Sequence, residues 1–278
     1  MYPTLFRIGH FELATYGVVV ALAVLAAGGL AARGFRDRGI APDHAWTLLV
    51  YGLVGGFLGA KIYFALINGP QALLSRSGFV WYGGLIGGAA AVAWAIRRER
   101  LPLGLTADAL APALALGHGI GHIACFFSGD SYGIPSNLPW AVAFPRGAPP
   151  STAGNLRRAF GVDVPASIPD DALLSVHPTM LYSAAALLAI AAFLWWYRRR
   201  SGVPGRLFAF YLILASAERF LVEFVRAKDD RLLWGATTAQ AVAVALTIVG
   251  LIILLRSVQG HEGKLRPTPT PREKLAGP

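Results

Sequence analysis

The chain has 278 residues, one cysteine and a formal net charge of +10, and 55% of its residues are hydrophobic while only 14% are charged. An ordinary soluble domain carries about 25% charged residues, so this balance, with a mean hydropathy of +0.53, excludes a disordered chain, a disulfide-stapled module and an ordinary soluble enzyme. Cys125 has no second cysteine to pair with, so cysteine usage does not fix the redox compartment. A pI near 10.2 would suit nucleic acid only if the basic residues gathered on a water-facing surface. They sit instead in short clusters between apolar runs, the pattern of a polytopic membrane protein, and no nucleic-acid partner is expected.

A membrane helix needs about 20 mostly apolar residues. Seven such windows follow one another, near 13-32, 46-67, 78-96, 106-127, 178-197, 206-226 and 235-255. They predict an all-α membrane domain over residues 1-260 with seven transmembrane helices. The first window is too long for a signal-peptide core and has only Arg7 before it, so it is read as a retained span. Between the windows, 15 Lys and Arg residues fall on one side and 8 on the other. By the positive-inside rule the N-terminus is then outside and the C-terminus cytoplasmic. The longest connection, about 128-177, is rich in Pro, Gly, Ser and Asn, which predicts a small external cap made of turns rather than regular elements. The stretch 261-278 is polar with four prolines and reads as a disordered cytoplasmic tail. No internal repeat is visible, which leaves an inverted-repeat transporter unsupported.

Orientation gives each polar residue within a window a depth. Tyr16 begins window one, Lys61 ends window two, Tyr82 begins window three, His118 and His122 end window four, His177 begins window five, and Arg219, Glu223 and Arg226 end window six. All fall in the outer half of the bilayer. Ionisable groups inside a membrane normally face the bundle interior or a wet cavity, so the expectation is one polar cavity near the outer leaflet, assembled from six helices.

Window six is the sharpest of these elements. In AERFLVEFVR, Arg219, Glu223 and Arg226 stand at i, i+4 and i+7, one helix face with a carboxylate between two guanidiniums and a net charge of +1. That face reads as an anion site, the alternative being an ion-pair cluster that only locks helices together. Lys61, six residues from a helix end, could equally snorkel to the headgroups. In window four, His118, His122 and Cys125 share a face at metal-ligand spacing, but no acidic third ligand stands at matched depth, and no metal or cofactor is expected. Glycines 117, 119 and 121, and those of YGGLIGG in window three, read first as small-residue helix packing.

Taken together, TYG at 15-17, GAKIYF at 59-64, YGGLIGG at 82-88, GHIACFFSGDSYGIPSNLPW at 121-140, HPTMLY at 177-182 and ERFLVEFVR at 218-226 resemble the prolipoprotein diacylglyceryl transferases. The likeness covers about residues 14-230, with the motifs in the family's order. It implies a seven-helix enzyme of the bacterial cytoplasmic (inner) membrane. Such an enzyme transfers a diacylglyceryl group from phosphatidylglycerol to the lipobox cysteine of prolipoprotein signal peptides and releases glycerol phosphate. Its partners would be those two substrates and the surrounding membrane lipids.

That reaction needs the thiol deprotonated, from a reference pKa of about 8.5, and cationic help as the C–O bond to phosphate breaks. Guanidinium forks suit phosphate oxygens, which makes Arg219 catalytic and Arg226 and Glu223 substrate-binding, with Glu223 orienting the two arginines. The resemblance adds Tyr16, Lys61, Gly129, Gly133 and His177 as substrate-binding positions, and Tyr82, His122 and Asp130 as catalytic ones. The family's frequent histidine before GGLIG is Tyr82 here, its window-four arginine is His122, its nearby asparagine Cys125 and its glutamate Asp130. Its tyrosine before the window-six arginine is Ala215, and Met180 stands where glutamine is common. These departures motivate a role for His122, beside Asp130, as the thiol's base or as a cationic phosphate contact, with His177 as the alternative.

Two other functions are to be weighed. SGDSYG at 128-133 is similar to the Ser-Gly-x-x-Tyr-Gly stretch of rhomboid proteases, with Ser128 as nucleophile and His177 as its base, although Phe126 replaces the usual glycine. A divergent relative that binds anionic lipid without chemistry, or carries a small anion, is the non-enzymatic reading.

Overall fold

The computed structural model describes residues 4–8, 11–75, 78–228 and 235–265. The chain opens with an antiparallel hairpin, β1 (Thr4–Ile8) and β2 (Phe11–Ala14), absent from the seven-window reading. Helices α1 (Thr15–Arg36), α2 (Asp43–Asn68), α3 (Trp81–Arg98) and α4 (Leu103–Ser128) follow. The connection after α4 holds β3 (Val142–Ala143), α5 (Ala153–Phe160) and β4 (Ser175–Val176). Then come α6 (Thr179–Tyr197), α7 (Arg206–Val222) and α8 (Thr238–Leu265).

Among the described residues, five helices are long and apolar enough to cross a membrane: α1, α2, α4, α6 and the Thr238–Ser257 part of α8. Helix α7 has only 17 residues, and α3 ends on Arg97 and Arg98. One expectation needs correction. The connection after α4 contains a helix and two paired strands rather than turns alone. Helix α8 is described as far as Leu265, and the rest of the stretch 261-278 lies outside the described residues.

Pairing of the helices follows their small residues. Helices α2 and α3 pack along a glycine seam in which a Cβ added to Gly59 would lie 2.8 Å from the Gly87 Cα, so only bare backbone permits the approach. Helix α1 packs on α2 and α4, α4 on α6 and α7, and α7 on α8. Phe35, Leu48, Ala95 and Ala109 form a core where the first four helices meet. At that end Asp108, buried in α4, accepts from the backbone N–H of Gly205 at 2.8 Å and of Phe208 at 2.9 Å. It thereby satisfies donors that the first turn of α7 leaves open. Nearby, Arg198 bonds Asp37 at 3.0 Å.

The connection between α4 and α6 has its own core of Tyr132, Phe144, Leu156, Val164 and Val176. Tyr132 stacks on Phe144, and its hydroxyl faces the carbonyls of Pro149 and Pro150 at 2.9 and 3.1 Å. Burial pushes that phenol up to about 12, so it remains a neutral donor. Arg157 reaches the carbonyls of Val164, Pro165 and Ile168 and pairs with Asp170 at 2.5 Å. Arg158 pairs with the other oxygen of Asp170 at 2.5 Å. These guanidiniums, the Arg158 hydrogen bond first, hold the exposed Asp170 carboxyl below the ordinary carboxylate range.

Candidate functional site

Helix α4 ends because Gly129 takes a left-handed φ of 64°, which needs no Cβ, and its N–H closes on the Cys125 carbonyl at 2.9 Å. The chain then runs extended beside the approach to α6. Gly133 N–H donates to the His177 carbonyl at 2.8 Å, and His177 N–H donates to the Ile134 carbonyl at 3.1 Å. On its other side the stretch meets the end of α7, where Ile134 N–H donates to the Val225 carbonyl at 2.9 Å and Gly133 pairs with Arg226. A Cβ at Gly133 would stand 2.7 Å from that of His177. The glycine is there because two backbones close on it.

This pairing changes the geometry expected for window six. The α-helix stops at Val222, Glu223–Val225 forms a 3-10 turn, and Arg226 is extended at φ −83°, ψ 137°. Arg226 therefore does not continue the helix face of Arg219. Its guanidinium instead donates to the Ser131 hydroxyl at 3.0 Å. Arg219 forms an ion pair with Glu223, whose side chain is fully buried.

A small pocket opens where these elements meet. His122 of α4 and Arg219 and Val222 of α7 form one wall; Thr179, Met180 and Ser183 of α6 form another, and Ser131 and Arg226 complete it. The Thr179 hydroxyl is held by the Ser131 carbonyl at 2.6 Å. The rings of His118 and His122 lie 4.9 Å apart, tilted by 30°. Among the described residues, nine buried side-chain polar atoms lack a hydrogen bond, and seven of them belong to His122, Glu218, Arg219, Glu223 and Arg226. Arg219 Nη1 and Glu223 Oε2 face each other in their ion pair and Glu218 turns toward Ser183, but burying so many ionisable groups together is costly, and their concentration in one place marks a candidate site.

The other candidates divide between neighbours of this pocket and residues apart from its lining. Tyr16, 44% exposed, is on α1 within electrostatic reach of Cys125 and Asp130. Asp130 accepts from the Ser128 hydroxyl at 2.6 Å. Contrary to expectation it is not the partner of His122, whose electrostatic neighbours are His118, Arg226 and Arg219. His177 bonds through Nδ1 to the Tyr182 hydroxyl at 3.2 Å, and that hydroxyl accepts from Trp140 at 2.8 Å. The Ser128–His177 dyad of a protease is thus not formed, since Ser128 bonds Asp130 and the Cys125 carbonyl.

Lys61 and Tyr82 do not line the pocket. Lys61 Nζ bonds the Ser75 carbonyl at 2.6 Å and lies over the rings of Phe64 and Phe79, so it ties down the α2–α3 connection. The expected cavity of six helices is corrected to a pocket of α4, α6, α7 and the stretch around Ser131.

Glu218 was missed by the sequence reading. Beside Arg219 on α7 it turns toward Ser183, and both guanidiniums act on its buried carboxyl. Asp130 also acts on Arg226. With these two acids added, the cluster does not carry the excess positive charge expected of it. What the cluster offers an anion is therefore directed guanidinium donors rather than net charge.

A family model described as prolipoprotein diacylglyceryl transferase matches residues 3–256. The phosphatidylglycerol–prolipoprotein diacylglyceryl transferase of Clostridium tetani is 30% identical over 91% of this chain and 96% of its own length. The protein of that name from Synechococcus elongatus is 30% identical over 90% of this chain and 86% of its own. That from Symbiobacterium thermophilum is 29% identical over 91% of each.

Proposed function

Because the chain belongs to the prolipoprotein diacylglyceryl transferase family, we propose that it transfers a diacylglyceryl group from phosphatidylglycerol to the lipobox cysteine thiol of prolipoprotein signal peptides. Glycerol phosphate is the leaving group. The observation that carries this reading is the gathering of the buried polar groups of His122, Glu218, Arg219, Glu223 and Arg226 around one pocket.

The sulfur attacks the glycerol carbon, the C–O bond to phosphate breaks, and negative charge grows on the phosphate oxygens. Donors already aimed at that charge lower the barrier without having to reorganise. Arg219, oriented by Glu223, and Arg226, held by Ser131, supply such donors from two sides. His122, with Nδ1 unengaged, takes the thiol proton or contacts the phosphate. Asp130, fixed by Ser128 near Cys125, together with Gly129, Gly133 and His177, shapes the mouth of the pocket. Tyr16 approaches the lipid from α1, and Tyr82 and Lys61 act on it from the α2–α3 pair.

In this reading α3 and α7 complete seven spans, and the protein lies in the bacterial inner membrane with its N-terminus outside and its C-terminus cytoplasmic. The α4–α6 connection forms an external cap and the pocket opens toward the outer leaflet. Both substrates are membrane-embedded, so the reaction does not require their extraction into water.

The test is incubation of the purified protein with phosphatidylglycerol and a lipobox peptide, read by the diacylglyceryl mass increment on the peptide, with Arg219→Ala as control. Product with the parent chain and its loss in the variant support the proposal. Retained lipid with no product would favour a non-catalytic binder.

A further inference from the structure

A second concavity lies on the α4–α6 connection, a groove of about 300 Å³. One side is formed by Pro135, Ser136 and Asn137 and the other by Leu173, Leu174 and Ser175. Asp163, exposed, is the single charged side chain among the lining residues.

The groove and the pocket lie along one continuous pair of extended segments. Residues 131–137 run antiparallel to residues 173–179: Ser131 meets Thr179, Gly133 meets His177, Pro135 pairs with Val176, and Ser136 N–H donates to the Ser175 carbonyl at 3.0 Å. One end of this two-stranded ledge carries the Ser131 hydroxyl that holds Arg226. The other end carries the groove. An extended chain rises about 3.3 Å per residue, so the stretch from Ser131 to Asn137 spans at most about 20 Å. About five extended residues of a bound peptide would bridge pocket and groove.

We propose that this groove binds the extended polypeptide on the carboxyl side of the acceptor cysteine, with Asp163 selecting against acidic residues there. The proposal rests on the transferase reading above. With the thiol at the pocket, the preceding apolar segment stays in the lipid and the following residues leave along the ledge. Apolar walls of Pro135, Leu173 and Leu174 accept small or apolar side chains, and the carboxylate of Asp163 attracts a basic one.

The experiment uses two acceptor peptides, identical through the cysteine and differing in lysine or glutamate at the fifth residue after it. A photo-crosslinking residue stands beside that position. For the parent protein the lysine peptide is expected to have the lower KM, by about three- to fivefold, the range of a partly screened charge pair. Asp163→Lys, at an exposed position, is expected to invert that ratio. Crosslinks formed without phosphatidylglycerol are expected to map to residues 135–137 and 173–175. An unchanged KM ratio in Asp163→Lys, or crosslinks elsewhere on the chain, overturns the groove. Crosslinks in the groove with no diacylglyceryl product from either peptide would sink the transferase reading while leaving the docking surface standing.

Discussion

Arg226 donates to the hydroxyl of Ser131 across 3.0 Å, and through that bond the end of α7 is joined to the stretch leaving α4. The guanidinium is therefore aimed from outside the helix. Arg226→Lys keeps the charge and loses the planar fork, and is expected to lower the transfer rate by about 10²-fold. Ser131→Ala leaves the fork but frees its orientation, with an expected loss of about three- to tenfold. Initial rates of diacylglyceryl transfer with phosphatidylglycerol vesicles check both, and equal losses would show that aiming is not what Ser131 contributes.

His122 stacks near His118 and faces two arginines, with no carboxylate holding it. His122→Ala is expected to reduce kcat by about 10²-fold, within the range for removal of a proton-transfer group. His122→Arg separates its two candidate roles. If the position serves as a cationic phosphate contact, the arginine keeps most of the activity; if it takes the thiol proton, both variants are equally slow. Full activity in His122→Ala removes the residue from the mechanism.

Ser128→Ala is expected to leave a serine-reactive fluorophosphonate with nothing to lose, because Ser128 is bonded to Asp130 rather than to a histidine. Labelling of the parent protein that disappears in this variant would contradict the geometry and revive a hydrolase.

Asp108 satisfies two N–H groups at the start of α7, although it belongs to α4. Asp108→Ala leaves both donors buried without a partner and is expected to cost about 1–2 kcal/mol, the scale of a lost helix cap. Thermal unfolding in detergent micelles measures it. Because the lesion is far along α7 from Arg219, the transfer rate of the folded fraction should stay near that of the parent.

Asp170 gives the α4–α6 connection an acid-sensitive tie. Its carboxyl is held low by Arg158 and Arg157, so it contributes stability above the ordinary carboxylate pKa of about 3.9. That contribution is lost as the pH falls through the lower value of the folded state. Cleavage by pepsin within residues 153–172 is expected to rise modestly below about pH 4, while Asp170→Asn should show a flatter profile.

Much of this architecture was legible in the sequence because burial in lipid imposes long apolar runs, and all seven windows contain a helix. Orientation assigns each polar residue an expected depth, but depth is one coordinate. Lys61 and Tyr82 share the expected level with Arg219 yet sit on the α2–α3 pair, because nothing in a single sequence reports the direction around the bundle. The position of Arg226 was misjudged for a different reason: periodicity assumes a continuing helix, and the pairing of Gly133 with residues 225–226 ends it early. Glu218 escaped notice as a flanking acid beside an arginine. Helix α5 did carry a signal that composition obscured. Thr152 caps it by accepting from Asn155 N–H at 3.3 Å, and Gly161 closes it with φ 61°.

Arg157 fastens three carbonyls and a carboxylate across the α4–α6 connection, and the chain's single cysteine, Cys125, is free. Charge-assisted clasps thus occupy the place that sulfur cross-links take in many loop-rich segments. Reductants such as dithiothreitol should leave the shape of this connection unaltered, and its maturation needs no thiol oxidase.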